Sequence, residues 1–299
     1  MKSLIRLLFL FSFLILSCSK ETKKENLAFF IEDDLGNRLE FSQSPAKVIS
    51  LAPNLTEIIF ALNCGDKLIG STIYCNYPED AAKTEKVGDL INVNLEKIYS
   101  LKPDIVFMTV EGNSKAAYEN LSRLNIKVFV SNPRNFDGIV KTIRNIGKIL
   151  NCEKNSLILS NKINAIRDSL KEVNSNSTKK NALFLISLNP LIAAGKNTFI
   201  NEIISLANFE NIIKEENSNY PLLSREEVFT LNPDFIIMPK EFAEEKKFLL
   251  NYYPEWKNLK AYKDNNLIFV EQDIYFRPGP RAILAALDLR EKALSFVKK

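Results

Sequence analysis

The feature that most constrains the fold of this chain is a segment that occurs twice. Residues 96–108 and 226–238 are identical at five of thirteen positions, at a constant offset of 130. Each copy has a short amphipathic pattern, a Pro-Asp turn and a continuous apolar run, which predicts a helix followed by a buried strand. A weaker echo relates residues 56–59 to 201–204. Two echoes in the same order predict two halves of similar α/β construction.

The segments around the first copy agree with a mostly parallel α/β fold. Residues 29–41 have the pattern of a hairpin, and a helix is expected at 114–124. A further helix is expected to begin at Asn54 as its cap, with Glu57 completing the cap. Short apolar strands are expected at 48–51, 105–108 and 128–130. Strands that alternate with helices favour parallel sheets joined by right-handed crossovers.

Residues 136–173 carry a helical pattern with no strand signal. From residue 155 onward apolar residues recur at spacings of three and four, so one long helix of about 28 Å is expected there. The predicted fold is therefore two Rossmann-like α/β lobes with mostly parallel sheets, joined by one long backbone helix. The predicted domains are an N-terminal lobe at 29–135, a helical linker at 136–177 and a C-terminal lobe at 178–299.

Residues 1–17 have the pattern of a secretory signal peptide. Their apolar stretch of about 10–13 residues is shorter than the roughly 20 that a membrane-spanning helix needs. It ends in Leu16-Ser17-Cys18, which resembles the lipobox of bacterial lipoproteins, in which the cysteine is acylated. The alternative is an ordinary signal peptide with an incidental cysteine. Residues 18–28 are polar and unpatterned, as expected of a tether.

Three cysteines follow Cys18, namely Cys64, Cys75 and Cys152. An odd number allows at most one intramolecular bridge and leaves one thiol over. Cys64 and Cys75 are close enough in sequence to pair, and buried free thiols are an equally good interpretation. No C-x-x-C spacing indicates a metal or redox site.

The chain contains no histidine. This excludes Ser-His-Asp and Cys-His catalytic sets as well as His-ligated metal and haem sites. No G-x-G-x-x-G, G-x-S-x-G or complete P-loop motif occurs either, so we assign no catalytic residue and no metal site and do not expect an enzyme. Lys and Arg exceed Asp and Glu by only 40 − 36 = 4, which disfavours nucleic acid as a partner.

Several segments in order resemble one known family. They are 50–57 (SLAPNLTE), 70–78 (GSTIYCNYP), 94–98 (NLEKI), 101–104 (LKPD), 224–226 (SRE) and 273–277 (DIYFR). Together they are similar to the helical-backbone, class III substrate-binding proteins of ABC importers, which carry cobalamin, ferric siderophores and haem. The similarity is greatest to the cobalamin-binding member. The resemblance implies a ligand cleft between two lobes, small lobe movements on binding, and an ABC permease dimer with its ATPase as partner. It also implies an exported monomer that is lipid-anchored to the cell envelope through Cys18.

The resemblance assigns ligand contacts on loops around the cleft: Pro53, Tyr74, Tyr220, Asp273, Tyr275 and Arg277. Tyrosine faces would supply apolar area, while Asp273 and Arg277 would meet the amides of a corrin ring. Two simpler interpretations are that Asp273 and Arg277 form a loop ion pair and that Tyr77 and Phe276 are packed under their loops.

Glu96 and Glu226 occupy matching places near the starts of the two repeated helices. Either residue alone is explained by its favourable interaction with the helix dipole, worth about 0.3–1 kcal/mol. In the family that this chain resembles, however, such glutamates pair with arginines of the permease. The two residues are therefore the predicted docking sites.

The transported ligand is expected to be cobalamin or a related corrinoid, with no resident cofactor. The chain departs from the cobalamin pattern at Leu90 and at Thr109 or Val110, where tryptophans would stand. Haem is the alternative ligand, with Tyr74 or Tyr220 as axial ligand. A ferric siderophore would need several arginines, for which Arg277, Arg134 and Arg281 are available. A surface adhesin lipoprotein is the alternative from a different class, and it would need neither a ligand site nor a permease.

Overall fold

The computed structural model describes residues 29–175, 177–215, 217–242, 250 and 252–297. The predicted signal peptide, the lipidation site Cys18 and the tether at 18–28 lie outside these residues. Within them the chain forms two separate, mostly parallel sheets flanked by helices, with a long helix between them in sequence, which confirms the predicted fold class. None of the helices in these ranges is long and apolar enough to cross a membrane.

The strands are β1 (Phe29–Glu32), β2 (Arg38–Phe41), β3 (Val48–Ser50), β4 (Leu68–Ser71), β5 (Glu85–Lys86), β6 (Ile105–Thr109), β7 (Val128–Ser131), β8 (Lys180–Leu188), β9 (Leu191–Ala193), β10 (Phe209–Asn211), β11 (Phe235–Pro239) and β12 (Leu267–Val270). The helices are α1 (Pro53–Ala61), α2 (Glu79–Ala82), α3 (Leu95–Leu101), α4 (Lys115–Arg123), α5 (Phe136–Ile149), α6 (Glu153–Asn174), α7 (Phe199–Leu206), α8 (Arg225–Leu231), α9 (Lys260–Lys263), α10 (Gln272–Tyr275) and α11 (Ala282–Val297).

The predicted N-terminal hairpin is confirmed. Strands β1 and β2 pair antiparallel from Phe29 opposite Phe41 to the turn. The Asp33 carboxylate closes the turn by accepting from the backbone N–H groups of Leu35 and Asn37 at 2.9 and 2.8 Å. This Asx-type turn is the usual reason for an aspartate at such a place.

Each half of the chain contributes one sheet. The first has the order β5-β4-β3-β6-β7 with every pair parallel. The second has the parallel order β10-β8-β11-β12, and β9 pairs antiparallel with β8. Because ligands of parallel α/β sheets bind at the carboxyl ends of the strands, these ends are where a site is expected.

The sequence repeat corresponds to a structural repeat. Helices α3 and α8 have seven residues each, strands β6 and β11 have five, and all four keep the offset of 130. Both helices end on a residue with positive φ, Lys102 at 51° and Asn232 at 43°. Asp104 accepts from the backbone N–H of Lys47 at 2.8 Å, and Asp234 accepts from that of Asn181 at 3.0 Å. The Pro-Asp dipeptide thus anchors the neighbouring strand in both halves.

Helix α1 is capped two residues earlier than the sequence predicts. Its N-cap is Ala52, whose side chain makes no capping hydrogen bond, and Pro53 starts the helix. Proline suits this place because its missing N–H would have no helical partner there. Asn54 is therefore not the cap. Its amide instead donates to the carbonyl oxygen of Pro278, in the second half of the chain, at 3.3 Å.

Two helices connect the halves where one helical region is predicted. Helix α5 has 14 residues and α6 has 22, with a break at 150–152. At 1.5 Å per residue α6 is about 33 Å long. It starts at Glu153, two residues before the predicted long helix, and ends at Asn174.

The disulfide joins Cys64 to Cys152, so the pairing of Cys64 with Cys75 is wrong. Cys64 follows the C-terminal end of α1, and the bridge ties this end to the first turn of α6. Cys75 is a buried free thiol that accepts a hydrogen bond from the Thr56 hydroxyl at 3.1 Å. Closeness in sequence does not predict the pairing, because Cys75 lies on the loop after β4 and its thiol contacts Thr56 rather than Cys64.

One apolar cluster runs through both halves. It includes Phe107 of the first sheet, Ile237 of the second, and Ile146 and Ile163 of the connecting helices. The opposite faces of the sheets have separate clusters, one around Val106 and one around Ile236. The side chains alternate along β6 and β11 between the shared cluster and the outer one, as pleating requires. The halves thus share a core on the side of the connecting helices.

Candidate ligand-binding site

A cavity of about 390 Å³ lies where the two halves face each other. The first half lines it with residues at the carboxyl ends of β3, β6 and β7 and on the loop after β4, and the second half with the segment around α10. The lining residues are Ala52, Pro53, Asn54, Tyr74, Leu90, Thr109, Glu111, Gly112, Ser131, Asn132, Pro133, Gln272, Asp273, Phe276, Arg277 and Pro278. Of the predicted ligand contacts, Pro53, Tyr74, Asp273 and Arg277 lie in this lining.

Tyr74 is available to a ligand. Its side chain is 50% exposed at the edge of the cavity. Tyr77 is also half exposed, and the guanidinium of Arg281 lies 4.0 Å from its ring centroid, so its expected packing under the loop is wrong. Phe276 both lines the cavity and packs on Phe184, with ring centroids 6.0 Å apart.

A buried charge cluster lies between the halves beneath the cavity. The Glu57 carboxylate, 3% exposed, accepts from Arg281 at 2.9 Å (Nε to Oε2) and 2.6 Å (Nη2 to Oε1). Arg277 Nη1 lies 3.1 Å from Glu57 Oε1. Paired N–H donors on one carboxylate are among the strongest hydrogen bonds in proteins, which fixes both arginines relative to the first half.

Arg277 also makes polar contacts at the cavity. Its Nη2 donates to Asp273 Oδ1 at 2.6 Å and its Nη1 to Asn76 Oδ1 at 2.8 Å. The Asn76 amide in turn donates to Asp273 Oδ2 at 2.9 Å. The ion pair expected between Asp273 and Arg277 is therefore present, and Asn76 extends it across the gap between the halves.

A second polar bridge spans the halves at another side of the cavity. Tyr220 lies outside the cavity lining, but its hydroxyl donates to Glu111 Oε2 at 2.9 Å. Glu111 is also paired with Arg134 of the first half. Burial raises the pKa of Tyr220, although the nearby Arg134 lowers it in part. The hydroxyl therefore stays protonated over the ordinary pH range.

Tyr275 is not a ligand contact. Its side chain is fully buried, its ring centroid lies 6.2 Å from that of Phe184, and its hydroxyl donates to Asp288 Oδ2 at 2.7 Å. Burial and the Asp288 carboxylate raise the pKa of Tyr275. The single turn of α10 directs Asp273 toward the cavity and Tyr275 toward α11, so the tyrosine supports the site from behind.

The sequence predicts only a capping role for Glu57 and no role for Asn76 and Glu111, so none of the three is predicted to lie at the site. A signal for Glu57 was present, because the echo of residues 56–59 at 201–204 places Glu202 at the matching position. Glu202, on α7, also has a partner far away in sequence: it accepts a hydrogen bond of 2.7 Å from the backbone N–H of Phe136, the first residue of α5. Each glutamate thus joins its own helix to a distant part of the chain: Glu57 to Arg281, just before α11, and Glu202 to Phe136, at the start of α5.

Glu96 and Glu226 are exposed at the second positions of α3 and α8. Both helices are capped by a side chain that precedes them: Asn94 accepts from the backbone N–H of Lys97, and Ser224 forms a capping box with Glu227. The two glutamates are not needed for these caps. Within the described residues neither carboxylate makes an ion pair or a hydrogen bond.

Comparison with known sequences gives one family. Residues 48–274 match the periplasmic binding protein family. An uncharacterised ABC transporter substrate-binding lipoprotein, YvrC, of Bacillus subtilis is 31% identical over 91% of this chain and 88% of its own length. A vitamin B12-binding protein of Photorhabdus laumondii is 28% identical over 82% of this chain and 87% of its own length.

Solved structures show the same fold. The periplasmic vitamin B12 binding protein BtuF of Vibrio cholerae has a TM-score of 0.76 and 24% identity, covering 85% of this chain and 99% of that one. The periplasmic haem-binding protein BhuT in complex with two haems has a TM-score of 0.74 and 21% identity, with the same coverage of 85% and 99%. Proteins with different ligands therefore share this architecture, and the ligand must be inferred from the site itself.

Proposed function

Because this chain belongs to the periplasmic binding protein family, whose members are solute-binding transport proteins, we propose that it is the substrate-binding component of an ABC importer. Its ligand is cobalamin or a related corrinoid, which is held in the cavity between the halves and delivered without chemical change. The vitamin B12-binding relatives support this ligand class.

The observation that carries the choice of ligand is the charge balance of the site. Each arginine there is matched by a carboxylate. The pairs are Arg277 with Asp273 and Glu57, Arg281 with Glu57, and Arg134 with Glu111. Three guanidinium groups face three carboxylates, so no cation among the described residues of the site is left to bind an anionic ligand. Such a site suits the amide fringe of a corrin, which needs donors and acceptors rather than net charge.

Haem fits this site less well. Its two propionates would need free cations, and Arg134 and Arg277 are already paired. Tyr220 is a poor axial ligand because burial raises its pKa and its hydroxyl proton is shared with Glu111. Tyr74 is the remaining candidate for an axial position. Ferric siderophores, which are anionic, meet the same shortage of free arginines.

Entry of a corrinoid requires the cavity to widen. A volume of about 390 Å³ is small among ligand pockets, which cover about 300–1,000 Å³. The bonds from Asn76 to Asp273 and from Tyr220 to Glu111 cross the gap between the halves. A ligand with amide groups can replace both, because it offers the same kinds of donor and acceptor.

The docking partner and the cellular location follow from the proposed role in an ABC importer. Glu96 and Glu226 dock on a two-subunit permease with its ATPase, and their exposure without a partner among the described residues supports this role. The protein acts outside the cytoplasm as a monomer, anchored by a lipid on Cys18 through the tether at 18–28. The lipobox-like sequence and the lipoprotein relative of Bacillus subtilis support the anchor.

The test is calorimetric titration of the chain without residues 1–18 against cyanocobalamin, cobinamide, haemin and several ferric siderophores. We expect tight binding of a corrinoid only. Tight binding of haemin with a Soret band and no binding of corrinoids would overturn the ligand assignment. Glu111→Gln provides a matched variant: it leaves Arg134 without its carboxylate, so the affinity for haemin should rise relative to that for cyanocobalamin.

A further inference from the structure

The two repeated helices each carry a glutamate and an aromatic residue three positions later. These pairs are Glu96 with Tyr99 on α3, and Glu226 with Phe229 on α8. Residues three apart on a helix lie on the same face, with Cβ atoms about 5–6 Å apart. Both rings are unusually exposed for their size, at 59% for Tyr99 and 46% for Phe229. The same carboxylate-aromatic face is therefore presented once by each half.

The charged neighbours of these residues are occupied within the protein. Lys97 pairs with Glu85, and Glu227 closes the capping box of α8. Arg225 lies with its guanidinium carbon 4.8 Å from the centroid of the Tyr253 ring. Two further cations line the same surfaces, and both are paired: Arg123, beside Glu96 and Tyr99, with Glu119, and Lys214, beside Glu226, with Glu210.

Among the residues that the structure describes, the glutamate-aromatic pairs have no partner. In the part of the chain that the structure describes, Glu96 and Glu226 have no ion pair, and the Tyr99 and Phe229 rings have no ring or cation contact. Glu96 and Tyr99 line one shallow cavity of about 460 Å³ on the first half. An exposed aromatic ring beside an unpaired carboxylate can bind a planar cation through a salt bridge and through stacking at the same time.

We propose that each pair is a composite site for one arginine of the permease, whose guanidinium pairs with the carboxylate and stacks on the ring. This inference rests on the proposed function. Arginine is favoured over lysine because its planar group can bind a carboxylate through two N–H groups and stack on an aromatic face at the same time. Two copies of the site fit a permease with two subunits, each of which offers the same arginine.

The aromatic ring should raise the affinity of each docking site for the permease. An exposed ion pair alone alters a dissociation constant by no more than about fivefold. A cation over an aromatic face at an exposed site adds about another two- to fivefold. With two sites, the aromatic residues together should contribute about four- to 25-fold to permease affinity.

The experiment measures binding of the lipid-anchored protein to its permease–ATPase complex in nanodiscs, with the dissociation constant as the readout. The variant Tyr99→Leu/Phe229→Leu keeps apolar volume and removes the rings, so its dissociation constant should rise about four- to 25-fold. Tyr99→Phe keeps a ring and should bind like the unchanged protein. Phe30→Leu, at an exposed ring of strand β1, is the control. Ligand affinity by calorimetry should be unchanged in all of them.

Three outcomes separate this inference from the function on which it rests. If Glu96→Gln/Glu226→Gln weakens permease binding but the leucine variant does not, the aromatic half of the site is wrong and docking by the glutamates stands. If neither variant weakens binding, docking through these helices is wrong. If the unchanged protein does not bind the permease at all, the proposed function itself fails.

Discussion

Glu57 and Arg281 are 224 residues apart in the chain, yet they share two hydrogen bonds, of 2.9 and 2.6 Å, between the halves of the protein. Glu57 follows the first strand of the first sheet, and Arg281 lies immediately before the C-terminal helix α11. A carboxylate in the interior is costly unless its charge is compensated by good hydrogen-bond geometry. This pair therefore restricts how the two halves can meet beneath the ligand cavity.

Replacing Glu57 by glutamine should destabilise the protein strongly. Arg277 and Arg281 would be left nearly buried without their shared carboxylate, and removing one partner of a buried ion pair costs about 3–5 kcal/mol. Urea unfolding of Glu57→Gln checks this. Asp273→Asn is the matched control, since the Asp273 side chain is 50% exposed and its loss should cost less than about 1 kcal/mol. Equal stability of Glu57→Gln and the unchanged protein would contradict the role given to this pair.

The disulfide between Cys64 and Cys152 should contribute strongly to the free energy of unfolding. Cys64 and Cys152 are separated by 88 residues, and closing a loop of that size stabilises a fold by about 4–5 kcal/mol in the chain-entropy account. We expect Cys64→Ser/Cys152→Ser to lose most of this free energy of unfolding, and Cys75→Ser to lose less. Peptide mapping without reductant identifies the bridge, and a peptide linking Cys64 to Cys75 would refute it.

Tyr74→Ala should weaken ligand binding without affecting the fold. The side chain is half exposed, so the free energy of unfolding should change by no more than about 0.5 kcal/mol. Loss of an aromatic face from the cavity should raise the dissociation constant for the corrinoid about tenfold. Tyr252→Ala, at a comparably exposed tyrosine outside the cavity, should leave it unchanged. Similar calorimetric titrations of both variants would show that Tyr74 is not a contact.

Glu226→Lys should separate ligand binding from transport. The residue is exposed on α8 and lies outside the cavity lining, so ligand affinity should stay the same. Uptake of labelled ligand by cells should be abolished, because a lysine repels the cation that the glutamate is proposed to bind. Glu210→Lys makes the same charge change on the surface of the same half and should not affect uptake. Equal loss of ligand binding and uptake in Glu226→Lys would sink the docking assignment.

The cap of α8 should weaken in acid. The backbone N–H of Ser224 donates to Glu227 at 2.6 Å, and this bond holds the pKa of Glu227 below its usual value. A lowered folded pKa means that the stabilisation is complete above the unfolded value of about 4.3 and is lost as the pH falls through the folded pKa. The stability difference between the unchanged protein and Glu227→Ala should therefore shrink between about pH 6 and pH 3. A constant difference over this range in urea unfolding would argue against the cap.

The architecture could be predicted because its signals are local and occur twice. The helix, turn and strand of 96–108 recur at 226–238 with the same lengths, and even the left-handed residues Lys102 and Asn232 match. The short segments that bound these elements contain their own caps and turns. Such patterns do not depend on which distant part of the chain packs beside them.

The site could be predicted only in part because its contacts are between residues far apart in sequence. Glu57 looks like an ordinary residue of a helix cap until Arg281 is placed beside it, and Cys152 is farther along the chain than Cys75. The error at Tyr275 has another cause. In a single helical turn, the composition of the segment does not reveal which of Asp273 and Tyr275 faces the cavity.

The apolar cluster that runs through both sheets and the connecting helices has a consequence for how the molecule can be divided. Expressing either half alone would expose the apolar surface that packs against the other half, so we expect such fragments to aggregate. Heating the intact chain should give one calorimetric peak rather than two. The two halves should therefore fold and unfold as a single cooperative unit.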